Sequence, residues 1–228
     1  YSLGPEDDFL TERVIYYNPG EETYPWMSWS NAAIPCNPDT HYSFPKGKVL
    51  SHASELKTID WESQGTEYES EIKEMTGYFW QTSDVNAFGA FTPSLGCGLF
   101  HIADVNSAPG IKLWSYGVGI DREWSMLSTP VTQPYMELQG GPARDQSIKL
   151  ELRSGEKRSH VEFWIPTDHE LDIRDLKTPD VQLRAISQIP MFGWTDSPST
   201  DFWIAFANSF EDRSCIPPAP SPYSCRSR

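Results

Sequence analysis

Along most of the chain, apolar and polar residues alternate over runs of roughly five residues. Each run stops at a cluster of Gly, Pro, Asn, Asp or Ser. That period sends successive side chains to opposite faces of a strand. Glu12–Tyr17 reads as a first strand, ended by a turn at Asn18-Pro19-Gly20. Tyr24–Pro35 is again strand-like, but Trp26 and Trp29 break strict alternation and predict a bulge or bend. His41–Val49, with Pro45 and Gly47, predicts a short hairpin region. Ser63–Met75 is acidic and predicts a short helix or a solvated loop, followed by an aromatic strand at Gly77–Gln81. Asp84–Gly98, rich in Gly, Phe and Ser, predicts a loop of the kind that lines a site.

The centre of the chain is more regular. Gly98–Asp104 reads as a strand by composition. In the next strand, Ile111, Leu113 and Ser115 share one face while Lys112, Trp114 and Tyr116 share the other. Tyr135, Glu137 and Gln139 alternate with Met136 and Leu138 in a third. Ser147–Pro166 predicts a hairpin about Ser154-Gly155. In its second arm Val161, Phe163 and Ile165 are expected to point inward, leaving His160, Glu162 and Trp164 on the opposite face. Asp168–Leu176 predicts a helical turn or loop. Asp180–Pro190 and Thr200–Phe210 read as further strands, and a Pro-rich tail follows.

Composition strengthens the all-β reading. Hydrophobic residues make up only 38%, so the core leans on nine Trp, ten Tyr and eleven Phe, which pack well on pleated sheets. Nineteen Pro and fifteen Gly favour many short strands over long helices. The expected organisation is a β-sandwich over residues 1–208 and a tail over 209–228. The net charge of −14 repels phosphate backbones and anionic lipid, which argues against nucleic-acid and membrane partners. No apolar run approaches the roughly 20 residues of a membrane span. The start at Tyr1 reads as a processed or excerpted product.

Cys36, Cys97, Cys215 and Cys225 form no CxxC pair, and no motif predicts a metal or a cofactor. Cys215 and Cys225 flank a Pro-rich loop and suggest a disulfide staple, which would imply a secreted protein.

Three strands carry an unusual face: Lys112-Trp114-Tyr116, Tyr135-Glu137-Gln139 and His160-Glu162-Trp164. Charge and large aromatics together suit a sugar site. Aromatic rings take the C–H face of a pyranose, and carboxylates and amides take its hydroxyl hydrogen bonds. The competing reading is an ion-pair layer buried under a loop. His101 and Asp104 end their strand, and His101 is a candidate acid or base. If Glu137 and Glu162 formed a pair, their separation would decide between inverting and retaining glycoside chemistry.

The ordered run of His101, Ala103, Asp104, Pro109, Gly110, Lys112, Leu113, Trp114, Gly117, Trp124, Pro134, Tyr135, Glu137, Leu138, Gln139, Gly141, Glu162, Trp164 and Pro166 resembles a family of uncharacterised domains often joined to tetratricopeptide repeats. The upstream Trp29-Ser30-Asn31-Ala32-Ala33 segment is similar to that family's as well. The resemblance implies a galactose-mutarotase-like supersandwich, a fold whose members usually bind or process sugars. It also implies more strands ahead of the Trp29–Ala33 segment, so the front of the sandwich is expected to lie outside this sequence or on another chain.

The expected function is a carbohydrate-active domain acting on a glycoside or free sugar, as a glycoside hydrolase or an epimerase- or lyase-like enzyme if it is catalytic. Glu137, Glu162 and His101 would do the chemistry. Trp114, Trp124 and Trp164 would stack on sugar rings, with Lys112, Tyr135, Gln139 and Asp104 contacting the substrate. The alternatives are a binding module without catalysis and a structural or assembly domain.

Overall fold

The computed structural model describes residues 1–63, 67–115, 117 and 135–177, all within the unit Tyr1–Pro179. Thirteen strands run through them in chain order. They are β1 (Leu10–Tyr17), β2 (Tyr24–Trp26), β3 (Ser30–Pro35), β4 (His41–Ser43), β5 (Lys48–His52), β6 (Leu56–Asp60), β7 (Thr76–Trp80), β8 (Asn86–Thr92), β9 (Cys97–Ala103), β10 (Gly110–Ser115), β11 (Tyr135–Gly141), β12 (Leu150–Leu152) and β13 (Lys157–Thr167). The only helical elements among the described residues are two 3-10 turns, Trp61–Ser63 and Glu69–Glu71.

The strands form a five-stranded sheet in the order β1-β13-β9-β8-β4, a six-stranded sheet in the order β3-β11-β10-β7-β5-β6, and a β12-β2 ribbon. Strand neighbours in all three are antiparallel.

The two large sheets share one core. Ile111, Leu113, Met136 and Leu138 of the six-stranded sheet join Phe88, Ala90 and Trp164 of the five-stranded sheet in one buried cluster. Its centre is aromatic: Phe44 stacks on Trp80 at 4.5 Å and on Phe88 at 5.2 Å, and Trp61 leans on Trp80 at 4.9 Å. Burying this much ring surface replaces the aliphatic residues the sequence lacks. The Trp80 indole N–H donates to the Pro45 carbonyl at 2.6 Å, so its polar atom is not stranded. A second cluster of Ala87, Ile102 and Phe163 lies on the far face of the five-stranded sheet, packed against Phe9, Val161, Ile165, Ile173 and Leu176.

Several expectations need correction. His41–Val49 is not a hairpin, because β4 and β5 belong to different sheets. Ser147–Pro166 does contain the expected turn, with Gly155 at φ 69°, but β12 pairs with β2 and not with β13. Asp84–Gly98 contains the interior strand β8, between β9 and β4, and not only a loop. Its Gly89 faces Phe100, where a Cβ would lie 2.4 Å from the ring, so a residue that weakens strand propensity is here a packing requirement. The irregular stretch Met27–Trp29 separates β2 from β3, where Trp26 and Trp29 broke alternation. On β13 the inward face is reversed. Trp164 belongs to the inter-sheet core and Glu162 and His101 are fully buried, while Val161, Phe163 and Ile165 serve the smaller outer cluster. The part of the 1–208 expectation beyond Lys177, the tail and the Cys215–Cys225 staple lie outside the described residues.

Candidate functional site

On the six-stranded sheet, β10 and β11 bury Ile111, Leu113, Met136 and Leu138, so Lys112, Trp114, Tyr135, Glu137 and Gln139 must stand on the outer face. Cross-strand register arranges that face in rows. One row runs Phe79, Lys112, Gln139, Asn31 across β7, β10, β11 and β3. The next runs Gly77, Trp114, Glu137, Ala33, and Tyr135 follows opposite Pro35.

Two amides hold the central carboxylate. Asn31 Nδ2 donates to Glu137 Oε2 at 2.8 Å, and Gln139 Nε2 donates to the same oxygen at 2.7 Å. Lys112 is a diagonal neighbour of Glu137 on this face. Its ammonium lies 5.1 Å from the centre of the Phe79 ring. Burial lowers the Lys112 pKa, and the charge of Glu137 opposes that shift. Trp114 and Tyr135 meet with ring centres 5.4 Å apart. Trp29 packs edge-on against Phe79 at 6.3 Å. Gly77 and Ala33 are the in-row neighbours of the Trp114–Glu137 pair, and the Phe79 ring and the Lys112 stem lie over Gly77.

Sequence reasoning had not singled out Asn31, Phe79, Trp29, Gly77 or Ala33 as site residues. The Trp29–Ala33 segment was visible as a pattern, but its place beside β11 depends on a pairing between strands about a hundred residues apart.

Glu162, His101, Trp164 and Asp104 do not join this face. Glu162 lies between the sheets, where it accepts from His101 Nε2 at 2.8 Å and from His160 Nε2 at 2.7 Å. All three side chains are at most 4% exposed. Burial alone would raise the Glu162 pKa, but the hydrogen bonds and charge interactions of the two histidines outweigh it and hold the carboxyl at about 2. His101 also stacks on Phe88 at 4.4 Å, and the Trp164 indole N–H donates to Glu12 Oε2 at 2.9 Å.

Glu137 and Glu162 therefore do not form an acid/base pair on one cleft. They belong to opposite sides of the six-stranded sheet, because β11 turns Glu137 outward while β13 turns Glu162 into the core. Asp104 caps a turn instead, accepting from the Asn106 backbone N–H at 3.0 Å and side-chain amide at 2.9 Å. It lines a groove of about 1360 Å³ on the other sheet, alongside His41, Asn86, Ile102 and Glu170. Trp124 lies outside the described residues. No group of three or more His, Cys, Asp and Glu side chains with metal-ligating placement occurs among the described residues. No described helix is long and apolar enough to cross a membrane.

A two-sheet antiparallel sandwich with a polar and aromatic outer face defines a β-domain of galactose-mutarotase-like fold, and solved structures carry the same likeness. Slr1438 protein from Synechocystis sp. PCC 6803 superposes with a TM-score of 0.53 at 9% identity, over 71% of this chain and 52% of that one. A structure from Klebsiella pneumoniae described as a "putative aldose 1-epimerase" superposes at 0.51 with 8% identity, over 72% and 44%.

The chain belongs to the family described as Domain of unknown function (DUF5107), whose model matches residues 1–167. A TPR-domain containing protein from Parabacteroides distasonis is 66% identical with a TM-score of 0.79. The match covers 96% of this chain, which spans 38% of that longer one.

Proposed function

We propose that this chain is a carbohydrate-recognising domain and that the outer face of β3, β11, β10 and β7 is its binding surface. The observation that carries the reading is the Glu137 carboxylate, fixed by two amides through one oxygen and set beside an aromatic pair and a lysine. Such a carboxylate is pre-oriented before ligand arrives, which lowers the entropy lost on binding. Trp114 supplies aromatic surface of the kind a pyranose packs on, and Ala33 leaves space beside Glu137 on the β3 side. The distant likeness to an aldose 1-epimerase fold supports a sugar-related role at the level of fold alone.

Titration of the full chain against an oligosaccharide panel tests this. Ala33 is exposed on edge strand β3, so Ala33→Arg should fold normally while filling the space beside Glu137. The expected result is an affinity loss of at least about tenfold. Unchanged binding by folded Ala33→Arg removes this face from the proposal.

Catalysis is a second reading, favoured by one observation: Glu137 Oε1 has no hydrogen-bond partner among the described residues and Lys112 stands beside it. On this reading Glu137→Gln abolishes turnover of a bound sugar, followed by polarimetry or by release of reducing ends, with little loss of affinity. Equal turnover by the variant and the parent chain removes Glu137 from acid/base chemistry.

A further inference from the structure

The groove on the five-stranded sheet holds about 1360 Å³. That exceeds the roughly 300–1,000 Å³ of a small-molecule site. Its lining includes aliphatic side chains that are exposed or only half-buried: Val85, Val105, Leu171, Ile173 and Leu176. Strand register gives its length. Asp84 and Asp104 lie just beyond the Asn86–Ala103 pair, at one end of β8 and β9. His41 stands opposite Phe91, at the other end of β8. About seven residues of nearly extended chain separate Asp84 from Phe91, roughly 23 Å at about 3.3 Å per residue. An occupant that reaches both ends is therefore a chain rather than one compact molecule.

Charge decides what kind of chain. The carboxylates lining the groove are Glu62, Glu67, Asp84, Asp104, Glu170 and Asp172, against the two permanent cations Lys46 and Arg174. Both cations are already paired, Lys46 with Glu62 and Arg174 with Asp172. His41 is shared at its end of the groove by Glu170 and, at 3.8 Å, by Glu67. At the other end Asp84 and Asp104 have no cationic partner among the described residues, and the donors to Asp104 belong to the neutral Asn106. Each end of an apolar groove is thus left with negative charge in excess.

We propose that this groove binds an extended peptide segment of a partner protein, with Lys or Arg at its ends and aliphatic residues between them. The aliphatic centre covers Val85, Ile173 and Leu176, and the basic ends meet the two groups of carboxylates. The chain's net charge of −14 draws a basic segment in over longer range. The groove and the proposed sugar surface belong to different sheets, so the two readings stand or fall separately.

The test titrates the full chain into fluorescein-labelled heptapeptides and follows anisotropy. The expected result is that KKVIVKK binds at least about tenfold tighter than either EEVIVEE or KKSGSKK. Asp84→Asn combined with Asp104→Asn removes charge from one end while keeping an acceptor for the Asn106 turn. It should weaken KKVIVKK binding by at least about tenfold. Val85→Arg, at an exposed position just ahead of β8, should weaken it as much. Glu21→Gln combined with Glu22→Gln takes the same charge from an exposed segment outside the groove, and should change affinity by less than about twofold. Thermal unfolding matched to the parent shows that each variant is folded.

Failure of KKVIVKK to bind overturns the proposal, and so does binding that survives the groove variants. Equal losses in the two charge-removing doubles mean that the peptide reads net charge alone, and the groove is not its site. If KKSGSKK or EEVIVEE binds as well as KKVIVKK, the occupant is not a basic, aliphatic-centred segment.

Discussion

Glu162 is the residue whose surroundings most change what it is expected to do. Its strand face carries a charge, a histidine and a tryptophan, a mixture more typical of a surface. It is tolerated inside because both carboxylate oxygens are satisfied, each by a different imidazole. Alternation in a sequence separates two faces of a strand, but it does not say which face meets the other sheet. When a sheet is covered on both sides, the satisfied polar face and the apolar face are equally admissible as interior. Gly140 completes the arrangement from β11: a Cβ there would lie 2.7 Å from Glu162 Oε2 and 2.8 Å from His101 Nε2.

A testable pH dependence follows from this buried cluster. The Glu162 carboxyl is held at about 2, below its ordinary value of 4.5. Its contribution to stability is therefore complete above about pH 4.5 and is lost as pH falls toward about 2. Urea unfolding should show parent stability dropping between about pH 4.5 and about pH 2. Glu162→Gln should start lower by about 3–5 kcal/mol, because it breaks a buried ionic cluster, and should show a smaller further drop in acid. Parallel acid profiles for the two proteins would exclude Glu162 as the titrating group.

At the scale of elements, individual strands were legible in the sequence and their partners largely were not. The alternation in Ile111–Ser115 and Tyr135–Gln139 reported the correct faces, because each of those strands buries one side against the core. Pro45 and Gly47 predict a hairpin between β4 and β5, yet this link crosses from one sheet to the other. The β9–β10 connection crosses too, and there a single side chain from a third strand pins it. Asn86 of β8 is 2% exposed, and its amide donates to the carbonyls of Ala108 and, at 3.2 Å, Gly110. No local pattern announces that contact, since Asn86 sits in the stretch whose composition predicts a loop.

Without the amide the two carbonyls lose this buried donor. Asn86→Ala should lower stability by about 1–3 kcal/mol, and Asn86→Asp by more, since a carboxylate faces the same oxygens without a donor. Thermal unfolding of both variants checks the order. A fall no larger for Asn86→Asp than for Asn86→Ala would show that the amide N–H groups are not what holds the crossing.

At the scale of the whole molecule, the sandwich has two outer faces with opposite characters. The five-stranded sheet carries its small apolar cluster under Phe9, Ile173 and Leu176. The six-stranded sheet instead presents Lys112, Trp114, Glu137, Gln139 and Asn31. The mixed faces of β10 and β11 were readable as one surface because these strands pair directly. The mixed face of β13 was grouped with them because strand order is a long-range property, absent from any short window. What survives of the sequence-based site is thus the part built by a single pair of neighbouring strands, extended by β3 and β7.

This separation has a consequence for how a ligand is held. The molecule carries a net charge of −14, but the proposed face holds its carboxylate with two amides and sets a lysine diagonally from it, so a neutral sugar there exchanges water hydrogen bonds for protein ones without neutralising a charge. Salt screens charges over about 10 Å at about 0.1 M and leaves hydrogen bonding and ring stacking nearly untouched. Affinity for a neutral oligosaccharide should therefore change by less than about twofold between about 50 mM and about 500 mM sodium chloride. Calorimetry at the two salt concentrations measures it directly. A tenfold or greater weakening at high salt would mean that ion pairing holds the ligand, and Lys112 rather than the amide-fixed Glu137 would then be the centre of the site.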